Sequence, residues 1–207
     1  LTTIALPNHL AEIGSNAFQG CRNLTSISIP EGVTKIESYT FDGCSKLTSV
    51  QLPSQLTTIN SFSFSDCSNL TDINIPDNVS HISLHAFYNT PWLENYIEVH
   101  SKTDDFVILG GTLLHSGTQT SGDIVVPDGV TDIGDGAFSD CSNITSIILP
   151  DSVTIMGLSP FTDIPLVIFD GTTSGYTYPS WGAKKIIKSN GTVLYDSATG
   201  YDSSSDD

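Results

Sequence analysis

In residues 24–46, Leu24, Ile27, Ile29, Val33, Ile36 and Phe41 are apolar, and mostly Ser, Thr and charged residues separate them. The same order returns as Leu47, Val50, Leu52, Leu56, Ile59 and Phe64, displaced by 23 residues with no gap. Ile27-Ser28-Ile29 alternates in, out, in, which is the period of a half-buried strand. Pro30 lacks an N–H and ends the ladder, and Glu31-Gly32 supplies turn chemistry. Val33 and Ile36 then face inward from a second short extended piece. Thr40-Phe41 leads a tight helical or 3₁₀ turn whose ring fills the core between the two. Copies starting at Leu1, Leu24, Leu47, Leu70, Ser121 and Ile144 set a ladder of Phe18, Phe41, Phe64, Phe87, Phe138 and Phe161.

A period of about 20–29 residues with aliphatics at its first, fourth and sixth positions is the mark of a leucine-rich repeat solenoid. One such unit cannot bury its apolar face alone, so it stacks on its neighbours. The expected fold is a right-handed leucine-rich repeat arc, β-rich, with short helical or 3₁₀ turns. The expected organisation is one domain over residues 1–202. Repeats fill 1–92 and 121–166, and an insertion occupies 93–120. In the insertion, two apolar runs flank Gly110-Gly111, which predicts a β-hairpin. We expect that hairpin to project from one edge of the coil. Residues 167–202, with strand-like runs at 167–169, 184–187 and 192–195, form a cap that closes the apolar end. Residues 203–207 read as a polar, disordered tail. The chain opens inside a repeat, as a fragment or a mature form would, with room for more repeats or a capping strand before Leu1.

The cysteines keep the same clock. Cys21, Cys44, Cys67 and Cys141 each follow a ladder Phe by three residues, and Thr90 and Ile164 take that place in two other copies. A position that accepts Cys, Thr or Ile is a small buried packing site, so free and inert thiols are expected. A zinc site needs ligands converging on one point. One Cys per coil does not provide that.

Charge then narrows the partners. The chain carries 7 Lys plus Arg against 23 Asp plus Glu, a formal net charge of −16. Nucleic acid requires clustered cations, and an anionic membrane surface repels this chain. No run reaches the ~18–20 apolar residues of a membrane span.

The motif LTSIxIPxxVTxIxxxAFxxCxN resembles the leucine-rich repeat of BspA-type, or Treponema-type, bacterial surface proteins. The resemblance covers 1–92 and 121–143 directly. The segments Asn89-Thr-Pro-Trp-Leu, Asp104-Asp-Phe-Val-Ile and Gly110-Gly-Thr-Leu-Leu also resemble an insert common in that family. What the resemblance implies is a secreted or surface-anchored protein of a host-associated microbe, with extracellular-matrix or epithelial partners in some members. It brings no residue-level binding motif.

Candidate sites follow from the coil. Its strand face shows the second, third and fifth positions, here Thr48, Ser49 and Gln51, then Thr71, Asp72 and Asn74. These form a polar surface able to hold a protein or glycan, although Thr ladders also simply suit exposed strands. In the cap, Tyr176, Tyr178 and Trp181 are candidates for stacking on sugar rings or anchoring a partner, with core packing as the competing reading. Trp92 reads as core. His81 and His85 have ligand-like spacing, but no Glu completes a metalloprotease motif. Neither a nucleophile elbow nor a P-loop is present. Asn23, Asn69 and Asn143 head Asn-x-Ser/Thr tripeptides at one shared repeat position, which is structure rather than glycosylation. The sequence therefore predicts a non-catalytic binding or adhesion module, without metal or cofactor, for an extracellular protein or glycan. A spacer carrying another domain is the alternative.

Overall fold

The computed structural model describes residues 2–117, 120–171 and 181–203. The chain forms two compact units, Leu1–Glu98 and Val99–Asp207.

In the first unit the strands are β1 (Ser26–Ser28), β2 (Lys35–Ile36), β3 (Ser49–Gln51), β4 (Thr58–Ile59), β5 (Asp72–Ile73) and β6 (His81–Ile82). β1, β3 and β5 make one parallel sheet, and β2, β4 and β6 make another. Partners lie one repeat apart, as in Ile27↔Val50↔Ile73 and Ile36↔Ile59↔Ile82. A bridge from Thr3 to Ser26 carries the first sheet into the opening coil. These aliphatics are buried, and between the sheets run the phenylalanines. Phe18–Phe41, Phe41–Phe64 and Phe64–Phe87 stack at 5.3, 5.3 and 5.2 Å with rings within 8° of parallel. The spacing follows the rise from one strand to the next, ~4.7–4.9 Å.

The turn carrying each Phe differs from expectation: it is neither α nor 3₁₀. Two residues before each Phe and two residues after it, the backbone is left-handed. Tyr39 has φ 60° and Gly43 φ 69°, with Phe62 and Asp66, then His85 and Asn89, repeating the pair. A left-handed residue stops helical winding. Alternate amides then point along the stack instead: Tyr39, Phe41 and Gly43 donate to the carbonyls of Ser61, Ser63 and Ser65. Backbone bonds thus tie the coils on a third side. The position two after Phe takes Gly, Asp or Asn, the residues that tolerate this conformation best.

The first part of the expected insertion is a helix that the repeat pattern concealed, α1 (Pro91–His100). Thr90 is buried and accepts a bond from the Leu93 amide at 3.3 Å. It is an N-cap, followed by Pro at the first helical position. Its place in the repeat is that of the cysteine, and its hydroxyl donates to the Phe87 carbonyl at 2.7 Å. Trp92 packs at 4.7 Å on Phe87, and Tyr96 lies at 5.4 Å from Trp92. Trp92 is therefore a continuation of the aromatic core, as expected.

The second unit holds β7 (Phe106–Leu109), β8 (Thr112–Ser116), β9 (Gly122–Val125), β10 (Asp132–Ile133), β11 (Ile144–Ile148), β12 (Ile155–Met156), β13 (Val167–Ile168), β14 (Lys185–Ile187), β15 (Val193–Asp196) and β16 (Tyr201–Asp202). β7 and β8 are the predicted antiparallel hairpin, turned by Gly110 and Gly111 at φ 54° and 85°. It does not project. β8 pairs in parallel with β10, Leu113 opposite Ile133, and both side chains are fully buried. Burial of Leu113 makes the hairpin a rung of the ladder β8–β10–β12. The other ladder, β9–β11–β13–β14, is parallel, and β15 and β16 close it by antiparallel pairing. The strand-like runs expected at 167–169, 184–187 and 192–195 correspond to β13, β14 and β15, and β16 is an added strand. Phe138 and Phe161 stack at 5.4 Å within this unit's core. The predicted tail lies outside the described residues from 204 onward.

Candidate functional site

In the sheet β1–β3–β5, alternation buries Ile27, Val50 and Ile73 and turns the residues on either side outward. Two outward rows result. Ser26, Ser49 and Asp72 form one, and Ser28, Gln51 and Asn74 the other. With Thr3 they line an open groove of about 580 Å³. Along its floor Ser28 Oγ donates to Gln51 Oε1 at 3.2 Å. The structure therefore brings together four of the sequence candidates, Ser49, Gln51, Asp72 and Asn74.

The others fall elsewhere. Thr48 Oγ1 donates to the Thr25 carbonyl at 3.0 Å, as Thr25 Oγ1 does to the Thr2 carbonyl. These hydroxyls tie coil to coil. Thr71 is exposed but does not line the groove. Trp181 belongs to the core side: it meets Phe161 and Phe169 edge-on at 6.5 and 6.1 Å and packs against the buried cluster of the second unit. These contacts favour the core-packing reading of Trp181. Tyr176 and Tyr178 lie outside the described residues.

The groove offers hydroxyl and amide donors and acceptors and one carboxylate, Asp72. That set has the chemistry to hydrogen-bond a polar ligand and holds no nucleophile paired with a base. His81 and His85 do not converge. His81 Nε2 contacts Ser83 Oγ at 3.1 Å, while His85 stacks on Phe62 at 5.0 Å. No group of three metal-ligating side chains occurs among the described residues.

His85 belongs to a feature that the sequence reading missed. Tyr39, Phe62 and His85 stack at 5.1 and 5.0 Å, forming a second aromatic ladder beside the buried one, and Tyr88 meets His85 edge-on. Tyr39 and Tyr88 are exposed. The signal was present: the position two before the ladder Phe is aromatic in three successive copies. These are also left-handed residues, a conformation that costs a bulky side chain of order 1–3 kcal/mol. The stacked rings offset part of that cost.

All four cysteines are free. Cys44 and Cys67 are fully buried, and their thiols donate to the carbonyls of Phe18 and Phe41, each at 3.1 Å. The hydrogen bond shared with Cys44, together with burial, holds the Cys67 thiol far above its ordinary value. Cys21, on the opening coil, is exposed, and Cys141 is half-buried. The packing-site reading thus holds for Cys44 and Cys67, whereas Cys21 is exposed and Cys141 only partly covered. Timed alkylation read by peptide mass spectrometry should label Cys21 first. Cys44 and Cys67 should react only through opening of the fold, at least ~100-fold more slowly. Equal rates would contradict the buried thiol row.

Short coils with two parallel ladders and an aromatic spine define a leucine-rich repeat β-solenoid. The chain belongs to the family described as BspA type leucine rich repeat region, which it matches in six copies over residues 1–106 and 115–178. No match is found among curated proteins. Among solved structures, a leucine-rich repeat protein from Bacteroides ovatus is similar at 20% identity over 92% of this chain and 70% of its own, with a TM-score of 0.43. The T. pallidum leucine rich repeat protein is similar at 25% identity over 78% of this chain and 75% of its own, with a TM-score of 0.42. A leucine rich cell surface protein from Faecalibacterium prausnitzii is similar at 23% identity over 86% of this chain and 53% of its own, also with a TM-score of 0.42.

Proposed function

We propose that this chain is a non-catalytic binding module, secreted or displayed at the cell surface, that recognises an extracellular protein or glycan. The observation that carries the proposal is the uncovered polar face of β1–β3–β5. Its rows of Ser, Gln, Asn and Asp side chains repeat at every coil and line one groove. A stack of rigid coils presents such a surface without an induced pocket. A net charge of −16 favours a neutral or cationic partner over nucleic acid or an anionic membrane. Membership of the BspA-type family, whose repeat resembles that of bacterial surface proteins, supports the location.

The test is binding of the full chain to arrayed glycans and matrix proteins, repeated with the triple variant Ser49→Ala, Gln51→Ala, Asn74→Ala. Three hydrogen-bonding side chains contribute ~0.5–1.5 kcal/mol each. The variant should therefore lose at least about tenfold in affinity for any hit. Hits unaffected by the triple variant would move binding off this face. An array without hits would leave the chain as a spacer that carries another domain.

A further inference from the structure

The same sheet position changes character between the two units. In the first unit the outer row is Ser28, Gln51 and Asn74. In the second, the strand pairing sets Val125 beside Ile148, Ile148 beside Ile168, Ile168 beside Ile187 and Ile187 beside Val193. The row is aliphatic across five strands and faces outward, because Ile124, Ile147, Val167 and Ile186 take the buried side. Val125 is 62% and Ile148 40% exposed. Val125 and Ile148 are exposed, Ile168, Ile187 and Val193 are half-buried, and together they form an aliphatic stripe of the kind that marks interaction surfaces.

Carboxylates border the stripe on both sides. Two residues before Val125 stands Asp123, which accepts bonds from Thr145 Oγ1 at 2.6 Å and Ser146 Oγ at 2.7 Å. These bonds hold its carboxyl below the usual range, so it is ionised at neutral pH. Beyond the other end of the strands, Asp128, Asp151 and Asp170 are exposed on successive coils. Among the cations near the cap, Lys185 is matched by Asp196 at 2.9 Å, and Lys184 and Lys188 flank β14. The negative border therefore belongs to β9, β11 and β13.

We propose that this face docks a cationic amphipathic helix of a partner protein, its apolar stripe along Val125–Ile148–Ile168–Ile187 and its lysines or arginines over the flanking aspartates. The spacing selects a helix. Rungs are ~4.7–4.9 Å apart. A helix advances ~5.4 Å per turn, close to one rung. An extended peptide repeats its side ~6.6 Å apart and drifts off the row within a few rungs. Five rungs span ~19 Å, the length of about 13 helical residues. At the far end Val193 borders a cleft of about 770 Å³ with Asp196 and Tyr201, where a terminal side chain of the helix anchors. A second copy of this chain is the poorer occupant, because each copy carries −16 and the same acidic border.

The test uses the full chain and a synthetic, fluorescent helical peptide with leucines on one face and lysines on both flanks. A glutamate-flanked peptide and the double variant Val125→Ser, Ile148→Gln, which restores the first unit's residues, complete the set. The lysine peptide should bind the unaltered chain at least ~tenfold more tightly than the glutamate peptide, and weaken with added salt. The double variant, with an unchanged circular dichroism spectrum, should lose at least ~tenfold in affinity for the lysine peptide. Absence of binding, indifference to peptide charge, or equal binding by the variant would overturn the proposal. Sedimentation showing self-association that the variant abolishes would also overturn it, in favour of a second copy. The groove variant Ser49→Ala, Gln51→Ala, Asn74→Ala should bind this peptide normally, which keeps the two faces distinguishable.

Discussion

Phe64→Ala is expected to remove ~3–5 kcal/mol from the first unit, while Phe18→Ala should cost only about 1–2 kcal/mol. Both change the same side chain at the same repeat position. The difference is location. Phe64 has no exposed surface and touches a ring on each side, at 5.3 and 5.2 Å. Its loss leaves a cavity that Phe41 and Phe87 cannot close, because the backbone that carries each ring is held in the coil ladder. Phe18 is half-buried and stacks on one ring only. A unit of this size has on the order of 5–10 kcal/mol of stability in total, so the Phe64 variant should approach unfolding at ambient temperature. Urea titration followed by circular dichroism reads both. Equal losses would mean that the rings do not form one continuous core.

Gly157→Ala should be a strongly damaging small change in the second unit. Gly157 follows β12, and its amide donates to the Ile133 carbonyl at 2.8 Å. A methyl group there would stand 2.6 Å from the Asp135 amide nitrogen and 2.7 Å from the Gly134 carbonyl carbon. Those are backbone atoms of the neighbouring coil, and they cannot rotate away. Asp135 is itself held, since its Oδ1 accepts the Leu158 amide at 2.7 Å. The coils must separate locally, which breaks ladder bonds. Overpacking of this kind costs ~1–3 kcal/mol or more. For a unit of about a hundred residues, each kcal/mol lowers Tm by roughly 4–8 °C. Calorimetry showing an unchanged melting temperature would contradict the close approach at Gly134 and Gly157.

Much of the fold was legible because burial repeats with the sequence. Ile27, Ile36 and Phe41 point inward for the same reason as Val50, Ile59 and Phe64, so one coil read correctly gives the next. Reading failed where the period was used in place of chemistry. The 23-residue count alone leaves β8 outside the ladder, yet Thr112 pairs with Asp132 across a coil of only 20 residues. The same count treats Thr90 as a substitute for cysteine and conceals helix α1, although Thr-Pro is also a helix start. The turn conformation was hidden for another reason. Tyr39 and Phe62 are residues that seldom adopt positive φ, and the rings stacked beside them offset the cost here.

The candidate site divides in the same way. The groove residues Ser49, Gln51, Asp72 and Asn74 could be found because strand alternation assigns them a side. Thr48 could not be set apart from them, since only coordinates show its hydroxyl bonded to the coil before it. The aliphatic stripe was overlooked because Ile148 was weighed within its own repeat, whereas its meaning lies in Val125, Ile168 and Ile187 beside it.

The bonds that join Thr25 to Thr2, Thr48 to Thr25 and Thr71 to Thr48 each connect residues 23 apart. Residues 24–46 could therefore be copied in place without creating any junction that the first unit does not already contain. Such a chain would lengthen like a ruler gaining graduations, ~4.8 Å for each copy. Tandem duplication of the gene segment would tune its reach without redesigning its interior.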